Sequence, residues 1–186
     1  MKGLIEIIST FLPDAIFEFN TKKLPLLEEV WGRSFKEEML NETQKTVEIS
    51  KNYSRPLNNC IFRAINKHLP EFKENSMNGF DYSYNDYLIE DKNSFSFNTA
   101  SWTGNGFIKT PIHLLKKFKC DENGVIIEAF AMIVDISTCS EGWSGKKLST
   151  NFSTIKFNKN DFSELNLIYG DLKINRKLIR PITWSI

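Results

Sequence analysis

The chain has 186 residues, 41% hydrophobic and 25% charged, with a formal net charge of +1. That length fits one domain with a real core, and the near-neutral charge excludes the basic excess by which a protein grips nucleic acid unaided. No run approaches the roughly 18 apolar residues of a membrane span, and Met1-Lys2-Gly3-Leu4-Ile5-Glu6 lacks the cleavage site of a secretory signal, so a cytoplasmic protein without membrane contact is expected. Cys60, Cys120 and Cys139 are odd in number and form no CxxC pair, which argues against a disulfide framework or a zinc site. His68 and His113 have no neighbours that make a metal-ligand or nucleophile pattern.

No repeat, low-complexity tract or Pro/Gly-rich linker divides the chain, so 1–186 reads as a single domain in three parts. Residues 1–79 are mainly helical. Within them 24–49 are expected as helix, with Pro25 in the first turn and Leu27, Val30, Trp31, Phe35 and Met39 at helical spacing. A second helix over 56–69 opens at Pro56 and carries Leu57, Cys60, Ile61, Ala64 and Ile65 along one side. The polar stretch 70–79 ends in Asn78-Gly79, a loop. Residues 80–97 alternate with period two, as strands do, and Thr103-Gly104-Asn105-Gly106 marks a turn. Thr110-Pro111 reads as an N-cap and first-turn proline opening a short helix with Ile112, Leu115 and Phe118 on one face. Asn123-Gly124 ends that unit, and 125–136 is the apolar run of a strand covered on both faces. The part 137–186 is loop-rich, with one strand by 160 and one or two more in 165–183. This order implies an α/β domain with a mixed central β-sheet flanked by helices.

The informative segment is Phe80-Asp81-Tyr82-Ser83-Tyr84-Asn85-Asp86-Tyr87-Leu88-Ile89-Glu90-Asp91-Lys92. Asn and Asp tolerate the left-handed backbone of a two-residue hairpin turn, which places Asn85-Asp86 at the reversal. The register then pairs 84 with 87, 83 with 88, 82 with 89 and 81 with 90. Phe80, Tyr82, Tyr84, Tyr87 and Ile89 form the core face; Asp81, Ser83, Leu88, Glu90 and Lys92 form the other. Asp91 falls on the apolar side without explanation. Two carboxylates facing across a ladder, with Cβ atoms roughly 5 Å apart, destabilise a sheet unless something neutralises them. A divalent cation does so, and Mg2+ needs only one or two carboxylates while keeping several waters. Lys92 projects from the same face, where its ammonium could orient a water and offset charge on a phosphate.

An acidic residue followed by Glu-x-Lys on the next strand resembles the PD-(D/E)XK nuclease superfamily, over about residues 80–136. Within it the chain looks most like the cleavage domains of type IIS restriction endonucleases, in particular the small subunit of a heterodimeric enzyme. Phe80 stands where the motif name has Pro. The resemblance implies a restriction-endonuclease-like fold and a bacterial, cytoplasmic hydrolase acting on double-stranded DNA. Asp81 and Glu90 would bind Mg2+ (Mn2+ substituting), and Lys92 would assist hydrolysis to 5′-phosphate and 3′-hydroxyl ends. A larger DNA-recognition or nicking subunit would supply the missing DNA-reading element. A homodimer cutting a palindrome and a non-catalytic binding or immunity protein are the alternatives. Asn93, Ser94 and Lys109 are candidate DNA contacts. Lys116, Lys117 and Lys119 could meet phosphates but read more simply as a solvated helix face. An upstream helical glutamate, Glu38 or Glu42, sometimes joins such sites.

The spacing alone is weak. Asp161, Asp171 and Lys173 repeat it, but Asp161 with Glu164 reads as a capping box, and too little chain follows Lys173. Glu71-x-Lys73 has no acidic partner a hairpin's length upstream. For Asp81, Glu90 and Lys92 the plain alternative is a solvated sheet face with an ion pair worth about 0–1 kcal/mol.

Overall fold

Leu4, Ile8, Leu12, Ala15 and Phe19 recur at helical spacing and are all buried. The first four form the inner side of α1 (Lys2–Glu18) and Phe19 that of the π-helical turn (Phe19–Lys23), through which the chain continues into α2 (Leu24–Trp31). The computed structural model describes residues 1–40, 45–75, 80–96, 101–105, 110–135, 143–144, 152–156, 167–169, 172–174 and 177–179.

The helix expected over 24–49 is broken. Gly32 adopts a left-handed φ of 66° and ends α2, with Arg33 N–H donating to Glu28 O at 3.3 Å. Ser34 and Glu37 then cap α3 (Phe35–Leu40): the Ser34 amide donates to Glu37 Oε2 at 2.9 Å while Ser34 Oγ accepts from the Glu37 amide at 3.4 Å. That reciprocal pair is a capping box. Val30, assigned to the apolar stripe, is 82% exposed. Pro56 does not open a helix either, because it lies inside α4 (Lys45–His68). A mid-helix proline costs about 3 kcal/mol, and Tyr53, fully buried one turn upstream, anchors the helix through it. The stripe Leu57, Cys60, Ile61 and Ile65 is buried as expected, and Cys60 and Cys120 are free thiols.

The strands are β1 (Lys73–Glu74), β2 (Tyr82–Tyr84), β3 (Tyr87–Ser94), β4 (Ser101–Asn105), β5 (Ile112–Cys120), β6 (Ile126–Asp135), β7 (Trp143–Ser144), β8 (Phe152–Lys156), β9 (Leu167–Tyr169), β10 (Leu172–Ile174) and β11 (Lys177–Ile179). Six of them form a sheet in the order β1-β2-β3-β5-β6-β9, mixed because β3 and β5 run parallel while the other pairs are antiparallel. A smaller sheet, β4-β8-β7, and a β10–β11 hairpin complete the described strands. The fold is thus an α/β arrangement of a mixed sheet with flanking helices.

Two expectations are corrected here. Residues 112–120 are a strand, not a helix, and Thr103-Gly104-Asn105 continue β4 rather than turning. Leu and Lys favour helix intrinsically, but a nine-residue helix is marginal alone. As β5 the segment bonds β3 on one side and β6 on the other, and six consecutive residues, His113 to Phe118, are buried. Tertiary pairing outweighs propensity. The Thr110 hydroxyl accordingly caps no helix; it donates to Leu88 O at 2.6 Å. Thr110-Pro111 leads into a strand.

Helices cover one face of the six-stranded sheet, where Tyr82, Tyr84, Ile89, Leu114, Phe118 and Ile133 meet Leu4, Ile8, Leu57 and Ile61 in one core. Among the described residues no helix is long and apolar enough to cross a membrane. Asn20 ties the π-helical turn to β6: its Nδ2 donates to Ile126 O at 2.9 Å and its Oδ1 accepts from the Ile126 amide at 3.0 Å. Gly124, in the turn before β6, has φ 79°, and a Cβ there would run into Tyr53 Oη and the Phe35 ring. Gly124→Ala is therefore expected to destabilise the fold by about 2 kcal/mol or more. Gly32→Ala, where a Cβ meets open space, should cost only about 1 kcal/mol of backbone strain. Urea midpoints of the two variants check the difference.

Candidate functional site

The hairpin forms in the expected register, Tyr82↔Ile89, Ser83↔Leu88 and Tyr84↔Tyr87, with Asn85 at φ 49° in the turn. Tyr82, Tyr84 and Ile89 enter the core, but Tyr87 is 42% exposed at the tip rather than core-facing. The regular pairing stops at Tyr82. The Asp81 amide also donates to Ile89 O, at 3.0 Å, so two residues of one strand address one of the other, as in a bulge. The 81–90 pairing expected from the alternation is not part of the ladder. Asp81 Oδ2 instead accepts the Asp91 backbone N–H at 2.7 Å, satisfying an amide that the broken ladder leaves without a strand partner.

Glu90 and Lys92 come together as expected. Their side chains form an ion pair on the sheet face away from the helices and retain 12% and 18% exposure, so solvent reaches both. The parallel partner β5 sets His113 beside Glu90 and Leu115 beside Lys92. Sequence reasoning missed His113. Its ring is buried, and Nδ1 lies 3.3 Å from Pro111 O. Burial is the main cause that brings its pKa down to about 4, with Lys92 also lowering it against the Pro111 hydrogen bond and the charges of Asp81 and Asp135. The imidazole is therefore neutral at physiological pH.

This shift has a stability consequence. With a folded pKa near 4 and an unfolded one near 6.5, the unfolded chain takes up the proton first as pH falls. The contribution is complete above about pH 6.5 and is lost as pH falls toward about 4, amounting to about 3 kcal/mol. His113→Gln should flatten that part of the stability–pH curve, which chemical unfolding from pH 7 to 4 measures.

Asp91 lies on the helix side of β3, fully buried, with its carboxylate against a fully buried lysine: Lys116 Nζ is 2.7 Å from Oδ1 and 2.9 Å from Oδ2. Lys116 Nζ also donates to Asn58 Oδ1 of α4 at 3.0 Å, and Asn93 Nδ2 donates to the same oxygen at 2.8 Å. Burial pushes the Asp91 carboxyl up, while the Lys116 charge pulls it back. Lys117, one residue on, points to the Glu90 side. Its ammonium donates to Ser94 Oγ at 3.2 Å and Ser96 O at 2.8 Å and lies 4.4 Å from the Trp102 ring centroid. Burial lowers its pKa to about 7. Strand alternation through 116 and 117 was the signal that would have separated these two lysines; the helix reading concealed it.

Of the candidate DNA contacts, Asn93 faces α4 and Ser94 accepts from Lys117; Lys109 lies outside the described residues. Glu38 is paired with Arg33, and Glu42 is outside the described residues. So are Cys139, Asp161, Glu164 and Asp171, while Lys173 lies in β10. Lys119 pairs with Glu128 on the surface. Glu71 and Lys73 line a cleft of about 390 Å³ with Pro70, Ser83 and Asn85, and none of Asp81, Glu90 and Lys92 borders it.

Among the described residues no three His, Cys, Asp or Glu side chains converge to hold a metal by themselves. Glu90 and Asp81 offer hard oxygen donors, a set that suits Mg2+, which completes its shell with water and substrate oxygens. The donor chemistry fits that ion and no thiophilic one.

No family model and no curated protein matches the chain. Among solved structures it is similar to XiaF from Streptomyces sp., in complex with FADH2 and glycerol, at 12% identity and a TM-score of 0.24. The match covers 96% of this chain and 50% of that one, so the chain spans about half of that structure's length. A likeness this slight carries no functional argument.

Proposed function

We propose that this chain is a Mg2+-dependent DNA endonuclease of the PD-(D/E)XK kind, acting as the small, cutting subunit of a heterodimeric type IIS restriction endonuclease. The observation that carries the reading is the convergence of Glu90 and Lys92 on one solvent-reached sheet face, with Asp81 at the adjoining strand end. Glu90 and Asp81 would hold the ion, which supplies Lewis acidity toward a phosphate oxygen and lowers the pKa of water. Lys92 sits within ion-pair reach of Glu90, placed to hold the attacking water by its oxygen and to balance charge developing on the phosphorus. The rim of low-polarity groups around them, Leu115 and neutral His113, strengthens such charge interactions. The net charge of +1 supports a partner that supplies most of the DNA grip.

One observation favours a second reading, a non-catalytic binding protein: Asp81 is committed to a backbone amide and Glu90 to Lys92, a satisfied network in its own right. Calorimetry with Mg2+ and Mn2+, followed by cleavage of supercoiled plasmid with a DNA-recognition subunit present, separates the two. Metal binding with double-strand cutting supports the nuclease; a chain that neither binds these ions nor cuts refutes it.

A further inference from the structure

Asp91 and Lys116 form an ion pair with no exposure at either side chain, on a sheet face that also carries the apolar Ile89, Leu114 and Phe118. Burying two charges costs several kcal/mol per ion before their attraction offsets it, and apolar replacements are often as stable or more so. Stability therefore does not explain the pair. Geometry does. In the parallel ladder Asp91 stands beside Leu114 and Asn93 beside Lys116, so Lys116 reaches diagonally to Asp91 while also meeting Asn58. Asn58 in turn accepts from Asn93 on β3. Any slip of β5 along β3, or of α4 across them, separates Lys116 from one of these oxygens and leaves a buried charge short of partners. The same residue, Asp91, lies between Glu90 and Lys92 and gives its amide to Asp81.

We propose that the Asp91–Lys116–Asn58 network is a positioning device for the site on the opposite face. It fixes the β3–β5–α4 register so that Glu90 and Lys92 stay converged and the Asp91 amide stays where the Asp81 carboxylate meets it. The proposal rests on the metal-dependent nuclease reading and deepens it: Asp91, Lys116 and Asn58 touch neither metal nor substrate and act through the strand they hold.

The test removes both charges together, Asp91→Leu with Lys116→Met, in the full chain. Three quantities are read: the urea midpoint, the Kd for Mn2+ without DNA, and kcat and KM for plasmid cleavage with the recognition subunit. The double variant is expected to keep a midpoint at or above wild type while Mn2+ affinity and kcat fall about 10–100-fold, with KM for DNA unchanged. A merely structural pair would move the midpoint and leave the affinity of the folded molecule alone. Wild-type Mn2+ affinity and kcat in the double variant overturn the proposal. Should the double variant fail to fold, Asp91→Asn keeps the shape and loses the charge, with a weakening of about tenfold expected and wild-type values equally overturning. A wild-type chain that binds no Mn2+ fells the nuclease reading along with this one, whereas a wild type that binds and variants that match it fell this one alone.

Discussion

Glu90→Ala is expected to abolish Mg2+-dependent cleavage, lowering the rate by about 1000-fold or more, some 4 kcal/mol of barrier. Its carboxylate is the only acidic side chain at ion-pair distance from Lys92 on the accessible face among the described residues, so on the nuclease reading neither the ion nor the lysine would be held without it. Asp81→Ala should act in the same direction. Lys92→Ala should behave differently: Mn2+ still binds by calorimetry, yet the rate drops roughly 100-fold, about 3 kcal/mol. Plasmid nicking and linearisation, with circular dichroism to show that each variant is folded, measure all three. Wild-type cutting by Glu90→Ala would remove the basis of the nuclease reading, and wild-type cutting by Lys92→Ala would remove that lysine's role.

Lys116→Met alone has the largest expected effect on stability. It leaves the Asp91 carboxylate fully buried without its counter-ion and strips Asn58 Oδ1 of one donor. Breaking one partner of a buried pair costs about 3–5 kcal/mol, a large share of the 5–15 kcal/mol typical of a domain, to use round figures. The orphaned carboxyl would be forced toward its protonated form, so the deficit should shrink as pH falls toward the titration range of carboxylates. Urea unfolding at pH 7 and pH 5 measures both the loss and its pH dependence. An unchanged midpoint would mean the two charges are not coupled.

The hairpin was legible in the sequence because a two-residue turn fixes its register locally: Asn85-Asp86 sets Tyr82 against Ile89. The buried strand β6 was legible from its nearly all-apolar run, which only Glu128 interrupts before Asp135. Two other breaks were also written in the residues, Gly32 followed by Ser34-x-x-Glu37, yet the apolar spacing through 27–39 masked them. β5 was not legible in the same way. Its leucines and lysines favour helix, and only pairing with β3 upstream and β6 downstream turns the segment into a ladder. The site divides along the same line. Glu90 and Lys92 share a face by simple alternation, whereas the bulge at Asp81 and the role of Asp91 depend on an amide left over by the ladder and on Lys116, which a helix reading pointed elsewhere.

The double hydrogen bond between Asn20 and Ile126 joins positions 106 residues apart. During synthesis the first helices leave the ribosome long before β6 exists to receive them. Until then Leu4, Ile8 and Leu12, all destined for the interior, lack the completed sheet that covers them. Final closure of the fold is thus tied to a late event, the arrival of β6 beside β5 and beneath the helices made first.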